Sequence, residues 1–334
     1  MDIRARPNPS VLLTGAFGYL GKHLHLHLLR SGFEVIALGR RQLNSRNPCA
    51  NVLDLSDRAA LRRLFNEVEI DVVFHLAGSS DPAYSLLDPS PLYINNLSHT
   101  LTLLDAMKDA GIKKIIFPSS AGVYGDNSAE KLEESAPLAP QTPYARSKAM
   151  IETMLIDFEE AYGIRHACLR LFNPAGVNSS VNPPVRNALI PALMDALSND
   201  REFSLYSGYN TDDGYSLRDF VHVDDACMAF QSAWQYLHET ESSIIANIGR
   251  GVATSTAELV RQAQTVSGKT MRLRPLPPRA GDPGRLVANI DKAQSLLGWR
   301  PTLGLDDILK SAWSHSQRLQ APALASGANL PSAA

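Results

Sequence analysis

"SVLLTGAFGYLG", residues 10–21, decides the fold. A short apolar run leads straight into glycines at 15, 18 and 21, and residues 18 to 31 then have helical spacing. The unit is strand, glycine turn, helix. GxxGxxG spacing requires glycine because a Cβ would block the tight turn and keep backbone N–H groups from approaching a pyrophosphate at the helix N-terminus. A glycine triplet alone is a weak signal, and the strand-turn-helix context gives it weight. Gly15, Phe17, Gly18, Tyr19, Leu20 and Gly21 are therefore candidate dinucleotide contacts.

Outward from this unit the same alternation repeats. "EVIALG" (34 to 39), "DVVFHLAG" (71 to 78), "KKIIFPSS" (113 to 120) and "RHACLRLFN" (165 to 173) read as strands. Between them residues 57 to 68, 91 to 110 and 144 to 162 read as helices. Alternating strands and helices predict an α/β fold: a Rossmann-type doubly wound parallel sheet, followed by a smaller mixed α/β C-terminal substrate domain. Residues 1–10 read as a flexible lead-in and 11–175 as the dinucleotide-binding domain. Residues 176–316 read as mainly substrate-binding and 317–334 as a disordered tail. The strand-to-helix unit at 220 to 240 is expected to rejoin the first sheet.

A chain of 334 residues with a formal net charge of −2 can bury a large core but carries no basic stripe for nucleic acid or anionic membrane. Small molecules are the expected partners. The N-terminus lacks the apolar run of a signal peptide or anchor. Three widely spaced cysteines, Cys49, Cys168 and Cys227, show no metal-ligand spacing and fit reduced residues in a cytoplasmic protein.

The second strand ends in "ALGRRQ" (37–42), where a carboxylate commonly holds the adenosine ribose of NAD. Here Gly39 is followed by Arg40 and Arg41, whose guanidinium groups would pair with the extra phosphate of NADP. The alternative is a solvated basic loop, with Asn44 or Ser45 holding the ribose. Further along, Asp54 and Leu55 are placed to meet the adenine, and Leu76, Ala77, Gly78 and Asn96 to line the cofactor cleft.

"TPYARSK" puts Tyr144 and Lys148 one helical turn apart, on one face. A phenol with a pKa of about 10 is a poor base at neutral pH, but a neighbouring ammonium and a cationic nicotinamide ring favour its phenolate. Tyr144 is thus a candidate general base or acid for an alcohol. Ser119 and Ser120 end the predicted strand 113 to 120 and are candidates to hydrogen-bond the same reacting oxygen.

These elements, with "LFNPAG" (171–176), "DGYSLRDFVHVDD" (213–225) and "RAGDPGRLVANIDKAQSLLGWRP" (279–301), resemble the extended short-chain dehydrogenase/reductase family. Within it they are most similar to UDP-galactose 4-epimerase and related nucleotide-sugar 4-epimerases. The resemblance runs over roughly residues 10 to 315. It implies tightly bound NAD, a UDP-hexose substrate and a transient 4-keto sugar. It makes Tyr144 the base for the sugar O4 while the C4 hydride passes to the nicotinamide. Ser120 would hydrogen-bond O4, and Lys148 would lower the tyrosine pKa and hold the nicotinamide ribose. Phe172 joins the cofactor contacts by the same resemblance. Asn173, Asn187, Arg218, Arg279, Asp282 and Leu286 join Ser120 and Tyr144 at the substrate, with the two arginines on the diphosphate and Asp282 on the nucleotide ribose.

Sugar 4,6-dehydratases of this family need an Asp-Glu pair just after the serine, where this chain has Ala121 and Gly122. Water elimination is therefore not expected. Departures from the epimerase pattern are Gly39-Arg40-Arg41 in place of Asp-Asn, Ser80 in place of a lysine, and Gly122 in place of a hydroxyl or small residue. Leu286 stands where bulk helps decide whether an N-acetyl group fits. An NADP-dependent reductase of a nucleotide-linked 4-keto-sugar keeps the same triad, and a non-catalytic dinucleotide sensor would not need it. His23 and His27 of "HLHLHL" are read as a structural helix face, not a metal site. Apolar stripes on 91–110 and 147–162 would suit a homodimer joined through four helices, as in the resembled family.

Overall fold

The computed structural model describes residues 8–39, 50–184, 188–279 and 281–320. The first half contains β1 (Ser10–Thr14), α1 (Tyr19–Arg30), β2 (Glu34–Gly39), β3 (Ala50–Val52), α2 (Arg58–Glu67) and β4 (Val72–His75). It continues with α3 (Pro82–Leu87), α4 (Pro89–Tyr93), α5 (His99–Ala110), β5 (Lys114–Ser120), α6 (Pro143–Tyr162) and β6 (Arg165–Leu171). Then come β7 (Pro174–Ala175), α7 (Leu189–Ser198), β8 (Phe203–Tyr206), β9 (Leu217–Arg218), β10 (Val221–His222), α8 (Val223–Thr240) and β11 (Ile244–Ile248). The last elements are β12 (Thr254–Ser255), α9 (Thr256–Ser267), β13 (Leu273–Leu276), β14 (Arg285–Leu286), α10 (Asp291–Leu297) and α11 (Leu305–Gln320).

Seven parallel strands form the main sheet in the order β3-β2-β1-β4-β5-β6-β11. Its central strands are buried on both faces, which is why they read as continuous apolar runs instead of alternating ones. On one face Leu24 and Leu28 of α1 pack with Ala226 and Phe230 of α8. On the other, Leu61 of α2, Leu103 of α5 and Leu155 of α6 close a second core. Each such leucine contributes about 1.5–3 kcal/mol by leaving water. A third core joins α7, α9 and α11 in the C-terminal half, around Leu193, Leu259 and Leu309.

Three expectations need correction. Residues 91–110 do not form one regular helix, because Ile94–Ser98 is a π-helical turn between α4 and α5. Such a turn keeps the rod continuous but shifts its hydrogen-bond ladder, and pattern reading does not register that. The segment at 220–240 returns to the main sheet as a helix only. Its strand β10 pairs with β7, and the sheet edge beside β6 is taken by β11. The C-terminal helix α11 runs on through Gln320, so residues 317–320 are ordered within it; Arg318 donates to the Ser179 carbonyl at 3.1 Å. Packing of α11 on α7 and α9 carries the helix further than its composition suggests.

Candidate active site and dinucleotide cleft

A cleft of about 170 Å³ opens at the carboxyl ends of β1 and β4, lined by Gly15, Gly18, Gly39, Leu55, Ala77 and Gly78 among others. The strand order reverses between these two strands, and doubly wound sheets bind ligands at that point. Gly15 has φ +67°, and a Cβ there would fall 2.6 Å from the Ala77 nitrogen. A Cβ on Gly21 would lie 2.1 Å from the Gly15 carbonyl oxygen. Helix α1 starts directly after the glycine turn, with Gly18 as its N-cap and, among the described residues, no side-chain cap. The cradle therefore fits the pyrophosphate of a dinucleotide, held by backbone donors and the helix dipole. Asp54 is exposed at the mouth, where its carboxylate accepts from the Ser56 N–H at 2.9 Å. Arg40 and Arg41, with Asn44, Ser45 and Cys49, lie outside the described residues, as does Asn187.

A buried hydrogen-bond chain sets the shape of this cleft. Ala77 N–H donates to Thr14 Oγ1 at 3.1 Å, and Thr14 Oγ1 lies 2.8 Å from His75 Nδ1. His75 Nε2 meets Thr100 Oγ1 at 2.8 Å, and the Thr100 hydroxyl donates to the Asn96 carbonyl. Since Thr100 spends its proton on Asn96, it accepts from Nε2–H, which leaves Nδ1 to accept from Thr14. Burial, with Lys148 nearby, pulls the His75 pKa down to about 3 and keeps the ring neutral. Asn96 is 1% exposed, so it shapes the cleft from behind, and Asn95 and His99 form the wall instead. Its side-chain oxygen accepts from Ser79 N–H at 2.7 Å, and its amide nitrogen donates to Ser147 Oγ at 2.9 Å. The π-helical turn thus ties the Gly78–Ser79 bend to α6.

The catalytic candidates stand where β5 and α6 begin to diverge. Ser120 is the last residue of β5, and its hydroxyl accepts from Gly122 N–H at 3.1 Å. Thr142 caps α6, Pro143 occupies its first turn, and Tyr144 follows, half-buried. Lys148 is buried and donates to the Pro118 carbonyl at 2.8 Å; its ammonium stands 5.9 Å from the Tyr144 ring centroid. Burial lowers its pKa to about 8, against smaller opposing effects from Cys168 and Glu152. Ser119 does not share this site. Successive strand residues face opposite ways, and its hydroxyl donates to buried Glu152. Phe172 is fully buried, with its ring packed near that of Tyr124.

In the C-terminal half, Arg218 donates to Asp282 at 2.6 Å and to the Pro283 carbonyl at 2.7 Å. Leu286 sits beside Arg218 in the β9–β14 pair. Asn173, at φ +39°, donates its side-chain amide to the Asp219 carbonyl at 2.7 Å. Asp219 receives N–H donors from Arg250, Gly251 and Ala288, and burial nevertheless raises its pKa to about 6. The guanidinium of Arg279 lies 4.0 Å above the Tyr206 ring. Asp126 joins the two sides by accepting from Gly284 N–H at 3.2 Å, six residues after Ser120 and two after Asp282.

The chain matches the model of the NAD dependent epimerase/dehydratase family over residues 11–249. It belongs to that family. It is 36% identical to a UDP-glucose 4-epimerase of Azospirillum brasilense, over 96% of this chain and 95% of the relative. The UDP-glucose-4-epimerase of Stenotrophomonas maltophila, solved with bound NAD and formylated UDP-arabinopyranose, superposes with TM-score 0.87 at 29% identity. That match covers 93% of this chain and 99% of the other. The Bifidobacterium longum UDP-glucose 4-epimerase, solved with NAD+ and UDP, gives 0.86 at 30% identity, over 92% of this chain and 98% of the other. An NAD dependent family with this glycine cradle fixes the fold and the cofactor class.

His75 is a structurally satisfied strand histidine, with both ring nitrogens bonded, whereas no sequence signal pointed to Ser147 behind the cleft or to Tyr206 and Tyr209 beside Arg279. Their spacing carries no motif, and only packing brings them to the site. His23 accepts from Asn178 N–H through Nε2 and bonds the Tyr19 carbonyl through Nδ1, while His27 meets Gln231. Among the described residues no helix is long and apolar enough to cross a membrane.

Proposed function

We propose that this protein is an NAD-dependent 4-epimerase of UDP-hexoses. One observation carries the reading: the buried Lys148 ammonium stands 5.9 Å from the Tyr144 ring centroid beside the carboxyl end of β5, in the same sheet as the dinucleotide cleft, and the loop of the Arg218–Asp282 clamp is tied to the segment after β5 through Gly284 and Asp126. NAD, when bound, supplies a nicotinamide that takes the C4 hydride and returns it. Tyr144 removes the O4 proton, Ser120 steadies that oxygen, and the Lys148 ammonium favours the phenolate. Arg218 and Arg279 bind the diphosphate, Asp282 accepts from the nucleotide ribose, and Asn173 lies near the sugar. Rotation of the keto sugar in the site turns the opposite face of C4 toward the returning hydride while Tyr144 gives the proton back to O4, so C4 inverts and no net oxidation occurs. Ala121 and Gly122 offer neither the acid nor the base that dehydration would need.

The sheet half is assigned the dinucleotide and the C-terminal half the nucleotide sugar. Exposed Leu87, Ile94, Leu101 and Met150 on the helices flanking the site support a homodimer through a four-helix contact. Buried, unpaired Cys168 and Cys227 suit a reducing compartment, the cytoplasm.

The test is to denature freshly purified protein, identify the released dinucleotide by mass, and assay conversion of UDP-galactose without added cofactor. Stoichiometric NAD and unaided turnover are expected. An empty site that takes up NADPH and reduces a 4-keto-sugar would overturn the epimerase in favour of a reductase. A Tyr144→Phe variant is expected to keep its NAD and lose turnover by about 10²–10⁴-fold.

A further inference from the structure

The clamp is organised by a residue outside every motif. Tyr209 is buried, and its hydroxyl donates to Asp282 Oδ2 at 2.8 Å while accepting from the Arg279 N–H at 3.3 Å. Arg218 holds the other carboxylate oxygen, Oδ1, at 2.6 Å. Asp282 is therefore gripped on both oxygens, although its side chain keeps 35% of its surface open. An exposed aspartate normally turns freely about its last bond. Here the carboxylate plane is fixed, and each oxygen keeps a lone pair for a further donor.

The loop that carries Tyr209 is itself braced. Gly208 and Tyr209 both donate backbone N–H to the Gly214 carbonyl, at 2.8 and 3.0 Å, and Thr211 Oγ1 donates to the Tyr215 carbonyl at 2.7 Å. Tyr206, the last residue of β8 just before this loop, lies beneath the Arg279 guanidinium. Two tyrosines three residues apart, one ending β8 and one in the braced turn, thus seat Arg279 and Asp282. Burial and the adjacent carboxylate push the Tyr209 pKa up to about 12, so its hydroxyl stays protonated as a donor.

We infer that Tyr209 is a positioning residue for the nucleoside diphosphate part of the substrate, orienting the Asp282 carboxylate and the Arg279 backbone before the ligand arrives. The inference rests on the nucleotide-sugar reading above. Without the hydroxyl, Asp282 would rotate toward Arg218 alone, and ordering it would have to be done at the expense of ligand affinity. The hydride and proton steps occur at Ser120, Tyr144 and Lys148, so the effect belongs to binding and not to the chemical step.

The experiment uses the full chain with its cofactor as purified, UDP as the probe, and Tyr209→Phe, which keeps the ring and removes one oxygen. Calorimetric titration with UDP is expected to show about tenfold weaker binding in the variant. KM for UDP-galactose should rise by a similar factor with kcat changed less than about twofold. The double variant with Asp282→Asn should bind UDP no more weakly than Asp282→Asn alone, because the hydroxyl acts through that carboxylate. Thermal melting reports whether each variant is folded. If Tyr209→Phe is unstable, the Asp282→Asn variant alone must lose UDP affinity for the inference to stand. Equal UDP affinity in folded wild type and Tyr209→Phe would overturn it, as would a fall in kcat at unchanged KM. A wild type that binds no UDP would remove the nucleotide-sugar reading itself, which is a separate outcome.

Discussion

The ring of Phe17 fills the space in front of Gly39, such that a Cβ at position 39 would fall 2.3 Å from Cδ2 and 2.7 Å from Cε2 of that ring. Position 39 ends β2, where a ribose-binding carboxylate commonly stands. The glycine loop has claimed that space with a phenylalanine, so the missing carboxylate and the bulky loop residue are one arrangement. Gly39→Asp is expected to displace Phe17 and cost roughly 1–3 kcal/mol of stability. It should also lower the dinucleotide retained through purification. Phe17→Ala combined with Gly39→Asp should recover retained NAD relative to Gly39→Asp alone, measured by release and mass. Equal loss in both variants would show that the two positions act independently.

Behind the catalytic helix, Arg170 donates to both oxygens of Glu152, at 3.1 and 2.7 Å, with each side chain under 5% exposed. Glu152 lies one turn beyond Lys148 and also accepts from Ser119. Removing one partner strands a buried charge, so Glu152→Gln should destabilise the protein by about 3–5 kcal/mol. The double change to Glu152→Leu with Arg170→Leu is expected to be milder than either single change. Urea unfolding of Glu152→Gln, Glu152→Leu, Arg170→Leu and the double variant checks the order.

Ser119 and Ser120 are neighbours in sequence but face different environments. Ser120→Ala should lower kcat by about 10- to 100-fold without changing the melting temperature, through loss of one hydrogen bond in the transition state. Ser119→Ala should do the reverse, lowering stability by about 1–3 kcal/mol with kcat retained. Steady-state rates and melting curves on both variants separate the two serines.

The neutral His75 ring makes the fold acid-sensitive. Its folded pKa of about 3 lies below the ordinary 6.5, so the unfolded chain binds the proton more readily in between. Stability is complete above pH 6.5 and falls as pH drops toward 3. The loss from this group between pH 6.5 and 5 should be about 2 kcal/mol. Denaturation midpoints across that range should decline in the wild type. His75→Gln should start lower and decline less; an identical slope would assign the acid sensitivity to other groups.

Much of the fold was legible because central parallel strands carry continuous apolar runs and their helices carry caps. Helix α6 appears within one residue of its expected start, fixed by Thr142 and Pro143. The π-helical turn at Ile94–Ser98 was not legible, since its residues keep a helical apolar period while the backbone ladder slips. The candidate site divides in the same way. Tyr144 and Lys148 are local partners set by helix geometry. Tyr209 and Asp282, 73 residues apart, meet only through folding.

By itself the sequence determined the strand-glycine-helix cradle, the parallel α/β class, the Tyr144–Lys148 pair and the family resemblance, all of which depend on residues near one another in the chain. The tertiary structure alone decided that Ser119 turns inward to Glu152, that Phe172 and Asn96 are buried, that Phe17 stands against Gly39, and that Tyr209 grips Asp282. Those relationships depend on which side chains share a volume after packing, and neither periodicity nor spacing encodes that directly.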